Sequence, residues 1–435
     1  MSYQGTIEYL YGLQKFGMKF GLDNISRLLS AADNPHESFR AVHVAGTNGK
    51  GSTSSMIESI LRTAGMRTGL FTSPHLVNFT ERIRINGEEI AEGEVIAFAE
   101  EVRGIAGKME DISPTFFEVV TAMAFLFFKR MGIDWAVVET GLGGRLDATG
   151  VIRPEVSVIT SIGLDHREFL GNTLGEVARE KAGIIKENVP LVSSAQPAEV
   201  TEVLARRAAE MKAEFFQYPL DFSSEMVSEA LDGICFNYHG SRDYRELKVP
   251  LAGEYQMMNA SVAVKTVEVL SEKYPALNCD VKGGLERVRW PGRLELIRKA
   301  PPILIDGAHN PDAARALAAY LAKTLAARYR RIILVIGIMG DKDIKGILRP
   351  LLPLASETIF TAPSYGRAAS AEILASHASS LGYPSKETGS VAEALTLAED
   401  LCSAGDIIVV TGSFYTIGEA REILGSRGVL SRLRE

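Results

Sequence analysis

A glycine–lysine loop is the strongest chemical signal in this 435-residue chain. Gly46-Thr47-Asn48-Gly49-Lys50-Gly51-Ser52 lies between a short apolar run and a helix-like segment. Glycines let backbone N–H groups turn toward an anion, the start of a helix adds a favourable dipole, and lysine supplies a point charge. The pattern reads as a loop for nucleotide phosphates. It departs from the strict phosphate-loop pattern: Val44 stands where the first glycine belongs, and Gly51 separates Lys50 from Ser52. The blander reading is a tight glycine turn.

Other residues with chemical potential also follow strand-like runs. Glu139 opens Glu139-Thr140-Gly141-Leu142-Gly143-Gly144-Arg145-Leu146-Asp147-Ala148-Thr149. A carboxylate at the C-terminal end of a parallel strand sits where such sheets bind ligands, and its oxygens suit Mg²⁺. The glycine spacing here is not that of a dinucleotide fingerprint. Asp165-His166 occupies an equivalent place, which favours a metal or catalytic role over a structural histidine. Lys181, in EKAGIIK, reads on its own as a helix-edge lysine carrying its charge to solvent. Asp306-Gly307-Ala308-His309-Asn310-Pro311 gathers three polar groups at one strand end, with a helix cap as the competing reading. Arg293, in WPGR, can reach phosphates across a cleft or make an interdomain salt bridge. G-x-S-x-G, H-E-x-x-H and C-x-x-C are absent from the chain.

These residues need a scaffold that brings strand ends together. Ala41 to Ala45, Gly69 to Thr72, Trp135 to Glu139 and Val156 to Ser161 are short apolar runs of the kind found in parallel sheets. Helices are expected over Ser52 to Ala64, over Pro114 to Met131 opened by Ser113 and Pro114, over Leu174 to Lys186 and over Tyr255 to Leu270. Between Glu214 and Val249 the pattern is patchier and more β-like. After the breakers around Trp290 to Arg293 a second alternating series begins. Its expected strands are Ile303 to Ile305, Ile332 to Ile336, Thr358 to Thr361 and Ile407 to Thr411, with a helix over Asp312 to Ala326. The fold class expected is therefore α/β. A phosphate-loop ATPase-type domain with a mostly parallel sheet spans 1–294, and a smaller Rossmann-like α/β domain spans 295–435.

Composition narrows the setting. A net charge of −7 argues against general affinity for nucleic acid or anionic membrane. Cys235, Cys279 and Cys402 are far apart and odd in number, so neither a disulfide framework nor a zinc site is expected. The N-terminal stretch does not read as a secretory signal. The most apolar run, Val119 to Phe128, falls well short of the ~20 residues that span a bilayer. A cytoplasmic protein with no membrane and no nucleic-acid partner is expected.

Taken together the segments resemble the Mur ligase superfamily, within it the folylpolyglutamate and dihydrofolate synthases. The matching stretches are GTNGKGS, SPHL with ERIRINGEEI, ETGLGGRLDAT, SIGLDH with EKAGIIK, QMMNA, WPGRLE, DGAHNP, GIMGDKD and GSFYTIGE, in the family's order across nearly the whole chain. SPHL and LDATG favour the folate branch over the peptidoglycan branch. The sequence departs from the family at Gly150, Tyr255 and Thr140. The resemblance implies phosphate-loop roles for Gly46 through Ser52, with Lys50 catalytic. It implies magnesium ligation by Ser73, Glu139 and His166, and ATP contacts from Asn259, Arg293 and Asp306. Lys181 matches a lysine that is carbamylated in relatives, and His309 a histidine on the side of the incoming glutamate. ATP, Mg²⁺, L-glutamate and a folate or dihydropteroate are the implied substrates and cofactors, and a monomer is implied as the working unit. The folate pocket is expected to involve Phe16 to Leu29.

The chemistry so implied is amide ligation through an acyl phosphate. Two alternatives stand beside it. One is a peptidoglycan-precursor ligase acting on a UDP-linked substrate. The other is a regulatory phosphate-loop NTPase that makes no amide bond, for which the second-series DGAHN cluster is superfluous.

Overall fold

The structure is a computed structural model that describes residues 1–13, 21–109 and 112–425. Its largest sheet begins with β1 (Arg40–Ala45), β2 (Thr68–Phe71), β3 (Ile83–Ile85) and β4 (Glu88–Glu89). It continues with β5 (Trp135–Glu139), β6 (Val156–Ile159), β7 (Leu191–Ser193) and β8 (Phe215–Gln217). The spatial order is β4-β3-β2-β5-β1-β6-β7-β8. From β2 to β8 all neighbours are parallel, and β3 and β4 form an antiparallel edge. Every residue of β5 and β6 is buried, because helices cover both faces and leave no side of the strand for water.

On one face, the helices Lys50–Thr63 and Tyr255–Lys273 pack Ile57, Ile60, Val264 and Val267 against Val42, Val137 and Val158. On the other, the helix Phe116–Met131 packs Val119, Met123 and Phe125 against Val138 and Phe71. That helix does not begin at Ser113 and Pro114 as expected. Thr115 is its cap: Thr115 Oγ1 accepts the Glu118 N–H, and Glu118 Oε2 accepts the Thr115 N–H at 2.7 Å. This reciprocal box satisfies two donors, which a proline cannot do.

The patchy stretch resolves into β8 and a separate antiparallel sheet of β9 (Ser223–Ala230), β10 (Gly233–His239) and β11 (Tyr244–Val249). Phe236, Tyr238 and Leu247 anchor it to the core around the helix Tyr255–Lys273. The last sheet has the order β12-β13-β17-β14-β15-β16. Its strands are β12 (Glu295–Lys299), β13 (Pro302–Ile305), β14 (Arg331–Ile336), β15 (Glu357–Phe360), β16 (Lys386–Glu387) and β17 (Asp406–Thr411). All neighbours are parallel except β12 with β13. The α/β class and the pair of mostly parallel sheets are as the sequence indicates.

Two helices end earlier than periodicity suggests. The helix at Leu174 stops at Lys181 and tightens into a 3-10 turn, Ala182–Ile184, before Ile185 turns extended. Its terminal carbonyl at Glu180 accepts the Arg145 N–H at 2.8 Å, so the helix end is claimed by the glycine-rich loop after β5. The helix Pro311–Tyr320 gives way to a π-helical turn, Leu321–Leu325.

Candidate active site

β1 is central, and the chain leaves it to build strands on both sides. The loops after β1, β2, β5 and β6 therefore emerge side by side at the C-terminal sheet edge, the crevice where such sheets hold ligands. The glycine–lysine loop occupies that crevice. Gly49 adopts φ 91°, a left-handed conformation that admits glycine without strain, and starts the helix Lys50–Thr63. No side chain caps this helix start, so the dipole and N–H groups there stay available to an anion. The loop is held from behind: the Thr47 and Asn48 N–H groups donate to Ser161 O at 2.8 and 3.1 Å. Thr47 Oγ1 also exchanges hydrogen bonds with Gly163 O and N, at 2.9 and 3.0 Å. Gly51 faces Trp290, whose ring lies 2.6 Å from where a Cβ would stand. Any side chain there would displace the indole.

Lys50 Nζ reaches 3.9 Å from Glu139 Oε1, while Glu139 Oε2 accepts the Ser73 N–H at 3.2 Å. Burial pushes the Glu139 carboxyl up. Lys50, the Ser73 N–H, Arg293 and Arg82 act against that. Lys181 is the clearest departure from a solvent-seeking lysine. It is 4% exposed, and its Nζ donates to Gly46 O at 2.7 Å. Burial, aided by Lys50, lowers its pKa to about 7.

The QMMNA segment lies under the loop. Gln256 Nε2 donates to Ser52 Oγ at 3.4 Å, and Asn259 Nδ2 donates to Gln256 Oε1 at 2.9 Å. Asn259 itself borders Gly49. Asp306 is buried, and its carboxylate accepts the Leu294 and Ala308 N–H groups, both at 3.0 Å, and the Tyr255 hydroxyl at 3.4 Å. Burial raises its pKa despite Arg293. Arg293 lies over the Phe414 ring at 4.5 Å, and its Nη1 donates to Gly292 O at 3.0 Å.

The two sheets meet here. Asn310 Nδ2 donates to Asn48 Oδ1 at 2.9 Å, and Asn48 Nδ2 returns a bond to Asn310 Oδ1 at 3.3 Å. His309 Nε2 is 3.4 Å from Asp165 Oδ2, and Lys342 Nζ is 2.5 Å from Asp165 Oδ1. Burial pushes the Asp165 carboxyl up, but the hydrogen bond and charge of His309, with His166 and Lys342, outweigh it and hold it well below the usual range. His166 starts a short helix at φ 49° and approaches Asp165 at 3.9 Å. Burial lowers its pKa to about 4.

The structure thus brings Lys50, Ser73, Glu139 and Lys181 around the loop after β1, with Asn259 and Ser52 below it. It sets Arg293, Asp306 and His309 on the facing sheet's loops. His166 is grouped with Asp165 rather than with Glu139 and Ser73. Among the described residues there is no cluster of three or more His, Cys, Asp or Glu side chains arranged to hold a metal. Residue type alone assigns no role to Lys342, which lies within GIMGDKD. Its only local signal is a lysine between two aspartates in a post-strand loop, the pattern of many solvated turns. Of the stretch expected at the folate pocket, residues 16–20 lie outside the described residues.

A phosphate loop at the edge of one parallel sheet faces the polar loops of a second, which is the arrangement of a nucleotide-dependent enzyme with its site between two α/β units. Residues 44–267 match the Mur ligase middle domain, and residues 292–414 match the Mur ligase glutamate ligase domain. The chain is 37% identical to the dihydrofolate synthase/folylpolyglutamate synthase of Bacillus subtilis, over 97% of this chain and 99% of that one. It is 33% identical to the dihydrofolate synthase/folylpolyglutamate synthase of Escherichia coli, over 97% and 95% of the respective lengths. The structure of Mycobacterium tuberculosis folylpolyglutamate synthase complexed with ADP superposes with a TM-score of 0.91 at 33% identity, covering 98% of this chain and all of that one. The chain belongs to the folylpolyglutamate synthase/dihydrofolate synthase family of Mur ligases.

Proposed function

We propose that this protein joins L-glutamate to the carboxylate of a folate, and to dihydropteroate, at the cost of one ATP. The observation that carries the site assignment is the uncapped helix start at Gly49–Lys50, with Lys50 Nζ 3.9 Å from the buried Glu139 and Asn48 bonded to Asn310 of the facing loop. A carboxylate does not react with an amine at neutral pH, because oxide would have to leave. ATP removes that obstacle. A substrate carboxylate oxygen attacks the γ-phosphorus, the bond to ADP breaks, and an acyl phosphate forms. The glutamate nitrogen then attacks the acyl carbon, the C–N bond forms, and the bond to phosphate breaks. Of the two ammonium protons lost, one leaves with phosphate and one goes to solvent.

Each residue group has a part in holding these partners. The Gly46–Ser52 loop and Lys50 place and neutralise the phosphates, so that catalysis is chiefly positioning and electrostatics. Asn259, Arg293 and Asp306 hold the nucleotide from the helix below and from the facing sheet. Glu139 and Ser73 offer hard oxygen donors beside the phosphate position, with His166 at its border. A Mg²⁺ that relies on one carboxylate plus substrate phosphates suits such a set better than a protein-only cage would. When bound, it would neutralise charge on the transferring phosphoryl group. Lys181 is buried with its pKa lowered to about 7, so near pH 7 about half of it is the uncharged amine, the form that takes up CO2 to become a carbamate. His309 faces the side from which the amine arrives.

The phosphate-transfer unit runs over 1–294 and the glutamate-side unit over 295–435, a division supported by where β12 opens the last sheet. Three free cysteines accord with a reducing cytoplasm. Among the described residues no helix is long and apolar enough to cross a membrane. The protein acts as a monomer.

The test is ADP release by purified protein supplied with ATP, magnesium, glutamate and one acceptor at a time: dihydropteroate, tetrahydrofolate or a UDP-muramyl compound. Release and amide formation with either pterin are expected. Turnover only with the UDP-linked acceptor, or ATP hydrolysis indifferent to acceptor and glutamate, would overturn the assignment.

A further inference from the structure

One carboxylate in the cleft answers to both sheets. Asp165, in the loop after β6, has a side chain only 9% exposed, and Lys342, in the loop after β14, only 10%. Their charged atoms are 2.5 Å apart. His309, in the loop after β13, places Nε2 at 3.4 Å from the other Asp165 oxygen. His309 Nδ1 lies 2.8 Å from Gly307 O, and a carbonyl only accepts, so that nitrogen carries hydrogen and the ring is oriented with Nε2 toward Asp165. The Asp165 loop is tied to the phosphate loop through Gly163 and Thr47. Lys342 has another acidic neighbour, Asp341, but at 3.9 Å and with that carboxylate 39% exposed.

We propose that Asp165 and Lys342 form a closure latch, a positioning pair that holds the glutamate-side loops and His309 against the phosphate loop while the acyl phosphate exists. This rests on the ligase reading above. The two loops share no sheet, so the pair does nothing for either unit's own fold and acts only on their relative placement. A desolvated ion pair also suits a contact that must break in each cycle. Opening returns both charges to water, so little net stability is lost, whereas losing one partner leaves the other buried and unpaired. With the latch closed, the glutamate nitrogen attacks the acyl carbon and phosphate leaves. With it open too early, water attacks the same carbon, the carboxylate is regenerated, and ADP and phosphate appear without an amide.

The experiment measures ADP and glutamylated product in the same reaction for the parent, Lys342→Met, Asp165→Asn, the double variant and Lys342→Arg, with nucleotide affinity and melting temperature alongside. The parent should yield equal amounts of ADP and amide. Each single loss should lower amide per ADP roughly ten- to a hundredfold, the value of a hydrogen bond to a charged group, with nucleotide affinity unchanged. The double variant should fare no worse than the singles, and Lys342→Arg should recover much of the coupling. Asp165→Asn keeps an acceptor for the His166 N–H, now bonded to Asp165 Oδ1 at 2.9 Å. If that variant still fails to fold, Lys342→Met decides alone. Full coupling in the single variants, or losses that multiply in the double, overturns the latch. A parent that makes no amide from any pterin acid overturns the ligase reading instead.

Discussion

Replacing Lys50 with alanine separates the chemistry of the phosphate loop from its folding. The ammonium stands 3.9 Å from Glu139 Oε1 and is 17% exposed, so it works in a partly dried cleft. Two unit charges about 4 Å apart interact by about 4 kcal/mol at an effective dielectric near 20. A phosphoryl oxygen met at similar range loses that much stabilisation when the lysine is removed, which corresponds to about a thousandfold in rate. The fold loses far less. Lys50 makes one hydrogen bond, to Thr47 O at 3.3 Å, and Glu139 keeps the Ser73 N–H. Burial of the Glu139 carboxyl is also opposed by Arg293 and Arg82, so removing Lys50 does not leave it uncompensated. A stability change on the order of 1 kcal/mol is expected, a few degrees in melting temperature. The assay is initial-rate ADP and amide formation with a pterin acid and glutamate, beside thermal melting. Amide formation within about tenfold of the parent would refute the electrostatic role, and so would inactivity that merely tracks unfolding.

Glu139→Gln should lose at least about a hundredfold in ligation while melting no lower than the parent, since glutamine still accepts the Ser73 N–H and removes a carboxyl that burial disfavours in its charged form. Lys181→Met should abolish ligation yet stabilise CO2-free protein at pH 6. The folded-state pKa near 7 lies below the unfolded 10.5, so parent stability rises with pH between those values and the advantage of the variant should shrink across that window. A gap in melting temperature that does not vary with pH would contradict the buried-amine account. His309→Ala should spare nucleotide binding and impair the glutamate-dependent step, read as a fall in amide formation at saturating ATP. Thr115→Ala should cost about 1 kcal/mol in denaturant unfolding through loss of the helix cap, with ligation intact.

What residue order alone determined lies where local chemistry speaks strongly, at the phosphate loop and the buried strands, though not at the Thr115 cap or the end of the helix at Leu174. Gly49 and Lys50 mark a phosphate loop because backbone conformation and charge are properties of those residues and their neighbours. The buried runs at β1, β5 and β6 announce a parallel sheet because strands covered on both faces must be apolar throughout. Only the tertiary structure decided which distant groups share a charge environment. Lys181 reads as a helix-edge lysine until the fold closes over it and aims its amine at Gly46 O, so that its state depends on exclusion from water. Glu139 ends β5, whereas His166 lies well beyond the end of β6, in a left-handed conformation beside Asp165. Lys342 looks like a turn residue, and acquires meaning from a carboxylate on the other sheet. Electrostatic coupling depends on separation in space and on the dielectric between groups, and neither is written in the spacing along the chain.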